Sequence, residues 1–176
     1  TRRFAPFFVT QFLGAFNDNL FKTALVVVLT FHAAGWVLLA PEILSNLAAG
    51  LFILPFFRFS AMAGQLADKY DKARLARLVK ALEMAIMGVA ALGFFLHSLA
   101  VLLGALFLLG LHSTLFGPVK YAILPQHLHA DELVGGNALV ESGTFVAILL
   151  GTLAGGLLAG AVGSPVRIAL AGLLVA

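Results

Sequence analysis

Apolar residues run along this chain in stretches of about twenty or more, broken by short polar interruptions instead of alternating with polar residues. A hydrocarbon core about 30 Å thick takes roughly 20 apolar residues to cross as a helix. By that measure the pattern predicts five full spans, at about 5–31, 43–66, 75–95, 99–120 and 137–161. Gly35 and the Pro41-Glu42 pair separate the first from the second, and the charged run Asp68 to Arg77 ends the second. His97-Ser98 marks a very short turn between the third and fourth. Pro125 to Gly136 reads as a polar connection after a break at Gly117-Pro118, with Asn137 as the expected N-cap of the fifth helix. Gly163-Ser164-Pro165 opens a sixth helix, whose 12 residues to Ala176 cover about 18 Å, too little to cross. The expected class is an all-α membrane protein with five complete transmembrane helices and a truncated sixth. The chain therefore reads as a fragment whose hydrophobic continuation is missing.

Composition strengthens that reading. Hydrophobic residues make up 61% of the chain and charged residues only 11%, and the mean hydropathy is +1.05. A soluble domain carries about 25% charged residues, so lipid must cover part of this surface. Cysteine is absent, which excludes disulfides and thiolate metal sites. A pI of 9.6 could suggest nucleic acid, but the bases form no single solvated face, and no nucleic-acid partner is expected. They follow membrane orientation instead: Arg2, Arg3, Lys69, Lys72, Arg74 and Arg77 collect on one side and Arg167 on the other. The positive-inside bias then puts the N-terminus in the cytoplasm. No cleavable signal peptide is visible.

Charges inside spans cost about 2.5–3.5 kcal/mol each on insertion scales and need a reason. Helix 1 carries the densest set, QFLGAFNDNLFK. Gln11, Asp18 and Lys22, at about 100° per residue, fall on one stripe, and Asp18 and Lys22 are spaced for an i,i+4 ion pair. The stripe either faces a water-filled cavity and a charged substrate group, with Asn17 and Asn19 adding polarity, or is a self-neutralising pair buried among helices. Lys120 and Glu141 are both placed near the cytoplasmic boundary, where they can pair. Alternatively Lys120 snorkels and Glu141 rests at the positive end of its helix. Lys80 and Glu83 form an i,i+3 pair read as structural. Arg58, deep in an apolar helix, either snorkels inward or meets an acid on a neighbour. Gly151, Gly155, Gly156 and Gly160 give two small-xxx-small pairs suited to close helix packing. His127, His129, Asp131 and Glu132 lack ligand spacing and a nucleophile, so no enzyme, metal or cofactor is expected.

The loop GQLADKYDKARLAR resembles the signature of the major facilitator superfamily, Gly-x-Leu-Ala-Asp-Arg/Lys-x-Gly-Arg/Lys, between helices 2 and 3. Gly64, Leu66, Ala67, Asp68, Lys69 and Lys72 match, and Asp71 stands where the second glycine is usual. Gly64 is expected to allow close helix packing, and Asp68 with Lys69, Lys72 and Arg74 to form a charge cluster at the cytoplasmic gate. FLGAFNDNLFK, GPVKYAILPQ and GGNALVESGTFVAILLGTLAGG are similar to the bacterial lysophospholipid transporter group, in which an apolar residue would be expected at Arg58. The resemblance implies the N-terminal six-helix half of a twelve-helix transporter, spanning residues 1–176, with its C-terminal half absent. It implies a bacterial inner-membrane protein that carries lysophospholipids from outer to inner leaflet, in some relatives fused to an acyltransferase and an acyl-ACP synthetase. Asp18, Asn17, Asn19, Lys22, Lys120 and Glu141 become headgroup candidates. A proton-coupled efflux transporter for drugs or small solutes, and the membrane anchor of a fused acylating enzyme, remain alternatives.

Overall fold

The computed structural model describes residues 4–31 and 40–162. Its five helices are α1 (Phe4–Phe31), α2 (Pro41–Lys69), α3 (Lys72–Phe95), α4 (Leu99–His127) and α5 (Leu133–Val162). Each is long and apolar enough to cross a membrane, and the chain is a multi-pass membrane protein. Arg2, Arg3, Gly35, Arg167 and the expected sixth helix lie outside the described residues.

Local chemistry sets the helix ends. Pro41 opens α2 and Glu42 sits in its first turn, both favoured where amide groups have no intrahelical partner. Asp71 caps α3 by accepting from the Arg74 amide at 2.8 Å, which explains an aspartate where the related signature has glycine. Between α3 and α4, His97 takes a left-handed backbone with φ of 52°. The Ser98 amide then bonds to the Gly93 carbonyl and the His97 amide to that of Phe94, the paired bonds of a Schellman stop. Ser98 caps α4 in turn, accepting from the Val101 amide.

Two expectations fail here. Gly117-Pro118 does not break α4, which runs through Pro118 and Pro125 to His127. Each proline removes one amide donor, and helices held by neighbours across a membrane absorb that loss. The polar connection shortens accordingly, and Asn137 lies within α5, its side-chain amide donating back to the Leu133 carbonyl at 3.0 Å.

The helices pack as two sets. α1 lies along α5, while α2 and α3 both lie against α4; contact between α1 and α4 is thin. Glycine permits the two close seams. A β-carbon at Gly151 or Gly155 would collide with the backbone of α1 at Phe16 or Leu20, and one at Gly110 with the α2 carbonyl of Phe52. The expected close packing thus holds for Gly151 and Gly155. It does not hold for Gly156, Gly160 or Gly64, where an added β-carbon meets nothing within 4 Å; these three face away from the described seams.

Antiparallel order brings the start of α1, the end of α2, the start of α3, the end of α4 and the start of α5 to one end of the bundle. Phe4, Leu124 and Val140 form one small cluster there, and Ala67, Val119 and Ile123 another. Lys69, Lys72, Arg74 and Arg77 all belong to this end, whereas the described residues of the other end carry no Lys or Arg. The far half holds the main core, where Phe21, Leu25, Leu29, Ile86, Phe94, Leu102 and Leu106 interlock.

Replacing Gly155 with Val is expected to lower stability by about 1–3 kcal/mol through overpacking of the α1–α5 seam. Gly156→Val should stay within about 0.5 kcal/mol. Thermal unfolding of the purified protein in detergent separates the two: equal midpoints would refute the seam.

Candidate functional site

Where α1 and α4 fail to close on each other, a cavity of ≈ 380 Å³ remains, lined from all five helices. Of the expected site residues, Asp18, Asn19, Lys22 and Lys120 line it. So do Gln11, Lys80, His112 and Ser113, with Phe52, Phe56 and Phe116 supplying an aromatic wall. One stripe of α1, carrying Gln11, Asp18 and Lys22, therefore faces the cavity, the first of the two arrangements its spacing left open.

The expected Asp18–Lys22 ion pair is absent. Asp18 accepts a hydrogen bond from the Ser113 hydroxyl, and its other carboxylate oxygen is buried without a hydrogen-bond partner. Lys22 donates to Asn19 Oδ1 at 2.9 Å and lies over the Phe52 ring, 5.0 Å from its centroid. Tertiary partners on α4 and α2 thus replace the local i,i+4 geometry. A cation over an aromatic face gains attraction without losing its charge to a counterion.

Asn17 lies behind the cavity, not on its wall. It is fully buried and donates to Glu83 Oε1 at 3.2 Å. Glu83, also fully buried, pairs with Lys80 at 2.5 Å and approaches His112 Nε2 at 3.4 Å. This is the expected Lys80–Glu83 pair enlarged into a four-residue cluster across α1, α3 and α4. Lys80 reaches the cavity by passing over Gly14, where any β-carbon would strike its ammonium nitrogen. The His112 ring stacks on Phe116 with 12° between their planes.

Lys120 and Glu141 pair at 3.0 Å, as their shared depth suggested, and the Tyr121 hydroxyl donates to the same carboxylate oxygen. Glu141 is not on the cavity wall itself; it holds Lys120, which is. At the α2–α3 connection the Lys72 ammonium donates to the backbone carbonyl of Asp68 at 3.4 Å. Lys69 lies 5.7 Å from the Tyr70 ring centroid. Among the described residues Asp68 closes no ion pair with Lys69, Lys72 or Arg74. The bases gather at the motif, but its carboxylate is left open.

His112 and Ser113 were missed by the pattern reading. Their signal was present: LLGLHSTLFG puts three consecutive polar residues in the middle of an apolar helix, where each polar group needs a partner.

The chain matches, over residues 32–175, a major facilitator family described as transmembrane secretion effector. It is 35% identical over 151 residues to the lysophospholipid transporter LplT of Enterobacter sp. (strain 638), covering 85% of this chain and 34% of that protein. The LplT of Escherichia fergusonii is 33% identical over 153 residues, or 86% of this chain and 35% of the relative. That of Klebsiella pneumoniae (strain 342) is 34% identical over 151 residues, or 85% and 34%. The chain thus spans about a third of the length of the curated relatives it matches. No solved structure matches it significantly.

Removing one partner of a buried ion pair costs about 3–5 kcal/mol, because the survivor is left uncompensated. Glu83→Leu is expected to show that loss, and Lys80→Met/Glu83→Leu to recover at least about 1 kcal/mol of it. Thermal midpoints of the four proteins of this cycle give the coupling; strict additivity would refute the pair.

Proposed function

The chain belongs to the major facilitator superfamily, and from that membership we propose that it is the N-terminal half of a transporter carrying lysophospholipids from the outer to the inner leaflet. One observation carries the reading: Asp18 and Lys120 line the same cavity from α1 and α4. A lysophospholipid with an amine headgroup presents an ammonium and a phosphate, and the two side chains offer the opposite charges. The LplT names of the relatives supply the substrate class. The wall of Phe52, Phe56 and Phe116 suits the start of an acyl chain.

In this reading Asp18 receives the ammonium, held in place by Ser113, while Lys120 receives the phosphate. Lys22 and Asn19 contribute beside Asp18. Glu141 and Tyr121 steady Lys120 until the phosphate arrives, and Asn17 acts behind the wall through Glu83. Charge-assisted hydrogen bonds of this kind are worth about 1.5–3 kcal/mol each, enough to select the headgroup. The Gly64, Asp68, Lys69, Lys72, Arg74 motif serves the gate: with its carboxylate unpaired, Asp68 is available to the other half as the two halves rock about the site.

The bases at the α2–α3 end support a cytoplasmic position for that end under the positive-inside bias, and with it the reading of a bacterial inner-membrane protein with its N-terminus inside. The chemistry is transport and not catalysis. Any acyltransferase or acyl-ACP synthetase would be a fused or separate partner that consumes the delivered lipid.

The full-length protein in proteoliposomes should move fluorescent lysophosphatidylethanolamine between leaflets. Asp18→Ala and Lys120→Ala should each slow it at least tenfold, the loss of roughly 1.4 kcal/mol or more. Wild-type rates in both variants would sink the headgroup assignment. Export of dye along a proton gradient without lipid movement would favour the efflux alternative.

A further inference from the structure

A second cleft, of ≈ 350 Å³, lies between α1, α3 and α4 toward the basic end of the bundle. Its lining carries two cations, Arg77 and Lys80, and no acid. They stand three residues apart on α3, where side chains are neighbours on one helix face. Arg77 is exposed and enters none of the ion pairs among the described residues. Its Nε donates to the Ala73 carbonyl at 3.2 Å, which leaves the terminal guanidinium nitrogens for bidentate contact with an anion. Lys80 spends one ammonium proton on Glu83 and has three to give.

Depth narrows the choice of anion. α3 has 24 residues, about 36 Å of helix against about 30 Å of hydrocarbon. Arg77, five residues past Lys72 at the start of α3, stands about 8 Å along the axis. Thr10, six residues past Phe4 on α1, stands at a similar level, about 9 Å. That is the boundary between hydrocarbon and headgroups, where lipid phosphates lie. Phe7, Ala76 and Phe116 complete an apolar wall that suits the chain below a phosphate.

We propose that this cleft binds an anionic phospholipid of the surrounding membrane, its phosphate held between Arg77 and Lys80. Basic pockets between transmembrane helices on the cytoplasmic side take lipid headgroups in this way. The lining selects net negative charge. An amine headgroup finds Asp18 in the central cavity, but here its ammonium would meet only cations. Lys80 and Phe116 also line the central cavity, and the Lys80 ammonium lies 5.1 Å from the Phe116 ring centroid. A lipid in the cleft therefore draws on the same ammonium that holds Glu83. The site is separate from the one assigned to the transported molecule and does not rest on that molecule's identity.

The test titrates the full-length protein, purified in mild detergent, with phosphatidylglycerol and with phosphatidylcholine of the same acyl chains. Bound lipid is counted by native mass spectrometry. Phosphatidylglycerol is expected to bind at least about fivefold more tightly, the worth of one cation near a membrane surface. Arg77→Gln should remove that preference. Thr10→Trp, which fills the cleft from α1 and leaves both charges in place, should lower it as well and carries the test if Arg77→Gln does not fold. Arg74→Gln removes an equal charge from the same end outside the lining, and should keep the wild-type preference. Equal affinity for the two lipids, as snorkelling of Arg77 alone would give, overturns the proposal. So does an equal loss in Arg74→Gln, the sign of diffuse surface charge. Displacement of the lipid by inorganic phosphate would make this a free-anion site, and displacement by lysophosphatidylethanolamine a stage of the transport route; either result also overturns it. Each can be observed while lysophospholipid transport persists, so failure here is distinct from failure of the transport reading.

Discussion

A carboxylate in hydrocarbon has no solvent to fall back on, so every atom of Glu83 must be answered from within the protein. Asn17 answers from α1 and Lys80 from α3, while His112 of α4 stands 3.4 Å away with no hydrogen bond made. These helices are not otherwise joined evenly: α3 packs broadly on α4, whereas α1 meets α4 only thinly. The Glu83 cluster and the direct Ser113–Asp18 hydrogen bond are therefore the polar links between α1 and α4, and the cavity is the space left beside them. Lys80 and His112 belong both to the cluster and to the cavity wall, so the charge that holds the helices also sets the electrostatics of the site.

Around that link the two ends of the bundle are built differently. Away from the basic end, Phe21, Leu25, Ile86, Phe94, Leu102 and Leu106 close the space with a continuous apolar core. Toward the basic end only small clusters intervene, around Phe4 and Leu124 and around Val119 and Ile123. The glycine seams that join α1 to α5 and α2 to α4 allow backbone contact, and such seams depend on shape more than on directional bonds. A bundle that is firm at one end, polar in the middle and lightly closed at the other suits movement against a second body.

Much of this could be read from the pattern of residues. Span number and order follow from apolar length, because backbone hydrogen bonding in lipid leaves helix as the available form. The α1 stripe and the Lys120–Glu141 pair follow from helical periodicity and depth. What escaped depended on tertiary partners. Asp18 and Lys22 are correctly spaced for one another, yet Ser113 and Phe52 compete successfully for them. Asn17 and Asn19 are two residues apart and so point to different sides of α1, one to Glu83 and one to the cavity. Pro118 looked like a stop because proline ends helices in water, where nothing alongside compensates for the lost amide.

The charges inside the spans then sort by whether the bundle neutralises them. Lys80 with Glu83, and Lys120 with Glu141, are closed within it. Asp18 receives only a hydroxyl, Lys22 an amide oxygen and a ring, and Arg58 nothing from the described residues. A charge at mid-depth in a membrane protein faces a water-filled cavity, pairs with another group or snorkels to the interface. Asp18 and Lys22 open into the cavity, so in the proposed transport reading their complement is a molecule that enters and leaves. Arg58 faces outward, away from the cavity. The unneutralised groups thus divide by direction, Asp18 and Lys22 toward the cavity and Arg58 away from it.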